Sequence, residues 1–463
     1  MGSPDTAEAR LATMVPEPVL RVLDRLHEAG HDGYVVGGSL RDALLGRVPK
    51  DWDLATDALP DRLLELFDDA VYENAFGTVV VRRGGETFEI TPFRTEHDYA
   101  DFRRPHRVEF GTDLQADLAR RDFTVNAMAW GRPATDDHGP ALSDPFGGRS
   151  DASARRLRAV GDPAARFRED ALRTVRAVRL AGTLGFEVEP ATLAALRAHA
   201  GLVAHLSGER LHTELSRMLD APVPSVGLRL AEATGVLAAF APDLAAQRGI
   251  PQNKVPGEDL WDHTLRTVDA APAGAGPIRL AALVHDLGKP STLADGHFHH
   301  HEVVGARLAE AWLRRLRFPR AQIDEVVLLV RHHMFEAGPA LSDAAMRRFL
   351  RRVGPEHVDA LLALRRADDI GSGLPPDDAA LAAFKARVDG MLAARVPLDR
   401  TALAVDGDDL MRELGLAPGP GLGRVLDELL ERVLTDPSLN DRMTLIRLAH
   451  GILGEMDSAG GDA

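Results

Sequence analysis

The stretch VVGGSLRDALLGRVPKDWDLAT, residues 35 to 56, sets a glycine pair, an arginine and two aspartates within one short span. Gly37 and Gly38 would let the backbone come close to a ligand. A helix starting just after them presents free N–H groups and the positive end of its dipole, which suits phosphate. Arg41, in the first turn of that helix, adds a fork-shaped cation matched to phosphate oxygens. Asp51 and Asp53 are two apart, so on a strand both carboxylates point to one face. Like charges that close repel unless a cation lies between them, and Mg²⁺ takes one or two carboxylates plus substrate phosphates. The alternative is a plain tight turn followed by a solvated loop with scattered acids; the close spacing of all three features favours a nucleotide and metal site. Glu89, in ETFEITPFR, is either a partner carboxylate in a two-ion site or an ordinary exposed strand position.

A second constellation lies in EDALRTVRAVRL, residues 169 to 180, where Asp170, Arg173, Arg176 and Arg179 recur every third residue. On a helix they form one slowly drifting polar stripe. An aspartate accepting from an exocyclic amine beside an arginine donating to a ring acceptor can read a base edge. Cytosine and adenine both offer an amine next to an acceptor nitrogen, whereas uracil and guanine do not. A solvated arginine-rich face is the alternative.

The elements that must hold these residues are legible in outline. Residues 16 to 30 (PEPVLRVLDRLHEAG) have apolar positions at helical spacing and end on glycine. From Tyr34 to about Thr95 the runs YVVGG, GTVVVRRG and ETFEITPF predict short strands with glycine turns, a mixed α/β region. After Asp162 glycine thins out and Ala/Leu/Arg stretches predict helices to the end. Breaks near 221–226, 250–258, 271–277 and 371–378 are the expected joints, and the final DSAGGDA reads as a frayed tail.

Composition narrows the class. The chain has 463 residues, too many for one ordinary core, so several domains are expected. With 45% hydrophobic and 27% charged residues it reads as a soluble globular protein with aliphatic cores. No apolar run approaches the roughly 20 residues of a membrane span, and MGSPDTAEAR lacks the basic-then-apolar pattern of a secretory signal. There is no cysteine, which removes disulfide-linked partners, thiolate metal sites and cysteine nucleophiles. Any metal must be held by Asp, Glu and His. The net charge of −15 argues against nonspecific nucleic-acid binding, but arginines gather at 103–107, 120–121 and 155–179, which leaves room for a local polyanion site.

GGSLRDALLGRVPKDWDLAT, RRDFTVNAMAW at 120–130, DPFGGRSD at 144–151, EDALRTVRAVRL and GERLHTELSRML at 208–219 resemble, in order, the signature motifs of class II tRNA nucleotidyltransferases. This family comprises the bacterial and eukaryotic CCA-adding enzymes, related to bacterial poly(A) polymerases. RTEHDYADFRRPHRVEF, residues 94 to 110, is similar to the family's mobile loop. The resemblance implies an α+β protein: a small polymerase-β-like head with a mixed sheet, then all-α domains that hold tRNA. It implies that Gly38 and Arg41 contact the incoming triphosphate and that Asp51 and Asp53 bind Mg²⁺ and carry catalysis. Arg120 would contact nucleotide, with Arg121 and Asp122 ordering the site. Asp170 and Arg173 would read CTP or ATP, with Arg176 and Arg179 behind them.

VHDLGKP, residues 284 to 290, places His285 beside Asp286 in an apolar helical context. Together with His263, His301, His333 and Asp368 it resembles the HD phosphohydrolase superfamily, in which such residues gather one or two divalent metals inside a helical bundle. On that resemblance all six are ligands, with the neighbours His300 and His332 as alternatives to His301 and His333. Mn²⁺, Ni²⁺, Fe²⁺ and Mg²⁺ all suit such donors. The expected organisation is an N-terminal helix (1–30), the head (31–150), a helical neck and body (151–258), the HD domain (259–375) and a helical tail (376–463). The expected activity is template-independent addition of C, C and A to tRNA 3′ ends, in the cytoplasm, with the tRNA 3′ end and acceptor arm, CTP and ATP as partners and no membrane. Poly(A) or partial CCA addition, an HD phosphohydrolase with a nucleotide-sensing head, and a noncatalytic RNA-binding protein are the alternatives.

Overall fold

The structure is a computed structural model and describes residues 7–73, 77–83, 85–100, 104–136, 139–252, 254–338 and 340–459. Arg103 of the expected basic cluster, the side chains of residues 104–107 and the last four residues of the tail lie outside the described residues. The chain packs as two compact units, residues 1–246 with 315–318, and residues 247–314 with 319–463.

The first unit begins with helices Ala7–Met14 and Glu17–Glu28, two where one was expected. Pro16, with no N–H to donate, ends the first and caps the second, and Gly30 at φ +80° stops the latter. Seven strands then build one mixed sheet. They are β1 (Gly33–Val36), β2 (Asp53–Thr56), β3 (Ala70–Tyr72), β4 (Val79–Arg83), β5 (Glu86–Pro92), β8 (Ala129–Arg132) and β9 (Ala141–Ser143). β6 (Arg94–Ala100) and β7 (Arg104–Phe110) pair separately as an antiparallel ribbon, where the mobile-loop stretch was expected. The sheet order is β3-β4-β5-β2-β1-β8-β9, and among its pairs β2 with β5 is parallel.

β1 sits inside the sheet and its four residues are all buried, so it reads as a continuous apolar run. Its side chains alternate between two cores. Val35 joins Leu54, Phe88, Ile90 and Trp130 with the helical residues Val22, Leu26 and Leu40, whereas Tyr34 and Val36 join Ala55, Phe93, Leu118 and Ala129. The rest of this unit is mostly helical, including Pro163–Glu169, Leu172–Leu184, Gly208–Leu219 and Pro224–Ala233, with one short parallel pair between Arg156–Leu157 and Glu187–Val188.

In the second unit, helices Leu260–Ala270, Gly276–Val284, His301–Arg315, Arg320–His332 and Val358–Gly371 surround one cluster of polar side chains. A capping box between Asp259 and Asp262 fixes the start of the first of these helices. Farther along, Leu410, Val425, Leu429, Val433 and Leu445 form a separate apolar core. Among the described residues no helix is long and apolar enough to cross a membrane.

Candidate active site and metal centre

β1 runs into the helix Gly37–Leu44 through Gly37, whose φ of +76° is the left-handed conformation that glycine adopts without strain. A Cβ there would stand 3.2 Å from Arg121 Nη1 and 3.4 Å from Asp53 Oδ2. Gly37 therefore holds the turn against the acidic site, while a Cβ on Gly38 would meet the guanidinium of Arg41 at 3.4 Å. Asp53 opens β2, pairing with Val36 on one side and with Glu89 on the other. Asp51 precedes that strand on a bend, a correction to the expectation that both aspartates lie on it. Buried Trp52 separates the two aspartates, both of them exposed as residues. Crowding by protein pushes the Asp53 carboxyl up; Arg121 opposes the shift and Asp51 adds to it. Glu89 is pushed up as well, by burial and then by Glu73, Asp53 and Asp51. Carboxylates crowded this way form an all-oxygen donor set that a hard divalent cation would relieve.

The arginines beside this turn are mostly held by acids of the protein itself. Arg41 is buried; its Nη1 donates to Asn126 Oδ1 at 2.6 Å and its Nε to Asp42 at 2.9 Å. Asn126 Nδ2 donates to Asp122 Oδ1 at 3.0 Å, and Arg176 Nε donates to Asp122 Oδ2 at 2.7 Å. Arg176 also lies 3.7 Å from Glu214, which binds Arg179. A line of polar contacts thus runs from the glycine turn to the helix Leu172–Leu184. Burial works against ionisation of Asp122, yet Arg176 and Asn126 hold its carboxyl down at about 2. Asp122 in turn keeps Arg176 charged against burial, whereas burial pulls Arg179 down despite Glu214. Arg120 and Arg121 both bind Asp117, at 2.6 and 3.2 Å. Arg121 is the one that also faces Gly37 and Asp53.

Asp170 falls in the break between helices Pro163–Glu169 and Leu172–Leu184, so it does not share a helical stripe with Arg173, Arg176 and Arg179 as expected. Its Oδ1 accepts from the Leu172 N–H at 3.0 Å and its Oδ2 from Arg210 at 2.7 Å. Arg173 donates to Glu169 at 2.6 Å and to the carbonyls of Arg166 and Arg120 at 3.1 and 2.7 Å. The sequence reading gave no role to Gly37's conformation, Asp117, Asn126, Arg210 or Glu214. All but Asp117 lie inside the quoted motifs.

The second cluster gathers His263 from its helix, His285 and Asp286 just past the end of Gly276–Val284, and His301 at the start of its own helix. His333, past the end of Arg320–His332, and Asp368, from Val358–Gly371, complete it. All six are buried. The side chain of His300 is 84% exposed, so His301 is the histidine turned inward, and His333 rather than His332 meets it. His263 Nε2 and His285 Nε2 stand 3.0 Å apart, as do His301 Nε2 and His333 Nε2 at 3.4 Å. Nδ1 of His285, His301 and His333 each lies on a backbone carbonyl, of Ala282, Phe298 and Val330, at 2.7 to 3.0 Å. With the proton on Nδ1 the Nε2 lone pairs converge, the arrangement by which imidazoles take a metal. Asp286 Oδ1 faces His301 and His333 at 3.3 and 3.8 Å, and its Oδ2 faces His263 and His285 at 3.2 and 3.1 Å.

These groups fall into two candidate cation sites that share Asp286, namely His263, His285 and Asp286, and Asp286, His301 and His333. Asp286 Oδ1 and Asp368 Oδ1 are buried without a hydrogen-bond donor, which a cation would remedy. Burial opposes charge on Asp286, but His285 and Lys289 hold it well below the carboxylate range, and histidines do the same for Asp368. Burial, with His285 adjacent, pulls His333 down to about 4, leaving it neutral and able to ligate. The donor set therefore fits one or two divalent ions.

Residues 33–158 match the model of the poly A polymerase head domain, residues 185–248 that of a "Probable RNA and SrmB- binding site of polymerase A", and residues 260–376 the HD domain. The chain is 32% identical to a CCA-adding enzyme of Geobacillus stearothermophilus over 432 residues, 92% of this chain and 94% of that one. It is 33% identical to a CCA-adding enzyme of Streptococcus suis over 439 residues, 94% and 97% of the two chains. The crystal structure of the Bacillus stearothermophilus CCA-adding enzyme in complex with CTP superposes with a TM-score of 0.72 at 29% identity, covering 96% of this chain and 98% of that one. With head, RNA-binding and HD segments in this order and relatives matched nearly end to end, the chain belongs to the CCA-adding enzyme family, the tRNA nucleotidyltransferases.

Proposed function

We propose that this protein adds C, C and A to the 3′ end of tRNA from CTP and ATP, without a template. The observation that carries this reading is the line Arg41, Asn126, Asp122, Arg176, which ties the glycine turn beside the two aspartates to the helix proposed to face the base. In the reaction the terminal 3′ oxygen bonds to the α-phosphorus, the bond from that phosphorus to the bridging oxygen breaks, and pyrophosphate leaves. Asp51 and Asp53 would hold divalent ions, Mg²⁺ on this reading, which neutralise triphosphate charge and stabilise the transferring phosphoryl group. The helix that starts at Gly37 offers its N–H groups to the triphosphate. Arg41, fixed by Asn126 and Asp42, sets the charge of that turn, and Arg121 balances Asp53. A cytosine or adenine would take the place of Arg210 on Asp170 and of Glu169 on Arg173, exchanging internal partners for a base edge. The cytoplasm, which holds both tRNA and the triphosphates, is the corresponding location.

A second reading concerns the HD cluster, whose converging imidazoles and shared Asp286 suit a metal-dependent phosphoester hydrolase. One experiment addresses both. The purified protein is given a tRNA lacking CCA with labelled CTP, ATP or both, and in parallel an artificial phosphoester with and without chelator. Addition stopping at CC with CTP alone and at CCA with both is expected, abolished in Asp51→Ala. An open-ended ladder of A would replace the first reading with poly(A) synthesis. Ester hydrolysis insensitive to chelator would remove the second.

A further inference from the structure

Residues 249–252 and 254–260 form a strap next to the HD cluster. Its base is closed by the Leu260 N–H donating to the Ile250 carbonyl at 2.8 Å and the Gly249 N–H to Asp259 at 2.7 Å. Glu258 pairs with Arg266 at 2.7 Å, and Val255 packs so tightly on Gly373 that a Cβ there would lie 2.5 Å from Val255 Cγ2. Thus anchored, the strap delivers two polar side chains. Gln252 Oε1 accepts from Lys289 Nζ at 3.2 Å, and Lys289 itself lies 2.6 Å from Asp286. Lys254 Nζ donates to Ser372 Oγ at 2.8 Å, and Ser372 is tied back to the Asp368 carbonyl at 2.8 Å. The charges acting on Lys254 are those of Asp368, Lys289, Asp286 and Arg365, the last already paired with Asp369.

We propose that Lys254, held on this strap, is a specificity-determining residue of the HD site, anchoring the dianionic phosphate of a phosphomonoester. The inference rests on the reading of this cluster as a hydrolase centre. Its warrant is the local charge balance. The two lysines, Lys254 and Lys289, offset the two aspartates, Asp286 and Asp368, so the charge of a bound divalent ion stays uncompensated. Imidazoles that ligate an ion do so as neutral donors and leave that balance unchanged. A dianion cancels the charge of one such ion, whereas a phosphodiester monoanion does so only by half. Lys254 is the more available of the two lysines. Lys289 is buried on Asp286 and Gln252, while Lys254 reaches solvent and, among the described residues, has the neutral hydroxyl of Ser372 as its direct hydrogen-bond partner. The amide nitrogen of Gln252, buried without an acceptor among the described residues, is a donor that a bound oxyanion would complete.

The test uses the full chain loaded with Mn²⁺, as wild type, Lys254→Met and Lys254→Arg, with metal content and melting temperature checked for each. Titration calorimetry with inorganic phosphate is expected to show binding about tenfold weaker in Lys254→Met and restored in Lys254→Arg, with unchanged metal content. With p-nitrophenyl phosphate the same substitution should raise KM about tenfold and leave kcat within about twofold. With bis(p-nitrophenyl) phosphate KM should change less than about threefold. Equal phosphate affinity in wild type and Lys254→Met, or no phosphate binding to the loaded wild type, overturns the inference. If neither ester is cleaved, the hydrolase reading fails by itself, and the calorimetric comparison still decides whether Lys254 anchors phosphate.

Discussion

At the scale of single residues, Asp122 joins Asn126 and Arg176 in the polar line of the head. It is 8% exposed and accepts from Phe123, Asn126 and Arg176. Replacing it with asparagine leaves Arg176 short of its main counter-charge in a largely buried position, a change that typically costs about 3 kcal/mol. The pH dependence has a definite sign. A carboxyl depressed from 3.8 to about 2 lends stability above its unfolded value and loses it as pH falls toward the folded value. The stability gap between wild type and Asp122→Asn should therefore be full at pH 7 and shrink from about pH 4 downward. Urea midpoints measured at pH 7, 4 and 3 check this, and a gap that is constant with pH would refute it. Loss of nucleotide addition should accompany the substitution, because Asn126 and Arg41 are positioned through Asp122.

Among the elements, the turn from β1 into the helix Gly37–Leu44 was legible because its features are local: a buried apolar run, two glycines and an arginine one helical turn on. The six residues gathered around Asp286 were named differently, His285 and Asp286 from their apolar helical context and the other four from the resemblance to the HD superfamily. What the sequence did not disclose depends on partners far along the chain. Arg41 meets Asn126, 85 positions away, so it is not the free fork that its place in the turn suggested, and Arg176, expected behind Asp170 and Arg173, meets Asp122, 54 positions away. Asp170 fell off the expected stripe because its side chain accepts the Leu172 N–H, a local bond that competes with helix. The turn itself supports a paired prediction. Gly37 and Gly30 both hold positive φ, but only Gly37 has site atoms where a Cβ would stand. Alanine at either position should cost about 1–2 kcal/mol in backbone strain. Only Gly37→Ala should also cut CTP incorporation more than tenfold; equal activity in the two variants would show that the close approach to Asp53 and Arg121 is unimportant.

For the whole molecule, the two compact units carry separate cores and separate candidate sites. Differential scanning calorimetry should then resolve two transitions, with CTP and Mg²⁺ raising the one that belongs to residues 1–246 and Mn²⁺ the other. A ligand at a hundredfold excess over its Kd contributes about 2.7 kcal/mol, enough to separate the transitions. One transition moved equally by both ligands would contradict independent sites. The net charge of −15 fits this molecule because its site arginines are already paired with acids, Arg120 and Arg121 with Asp117, Arg173 with Glu169 and Arg179 with Glu214. The two candidate donor sets also differ in kind: oxygen alone at Asp51 and Asp53, with Glu89 paired beside Asp53, and mostly imidazole around Asp286. Oxygen donors prefer the abundant hard ions, whereas imidazoles prefer scarce transition ions. A chelator selective for transition ions should therefore strip the cluster around Asp286 at concentrations that leave nucleotide addition at the head unchanged.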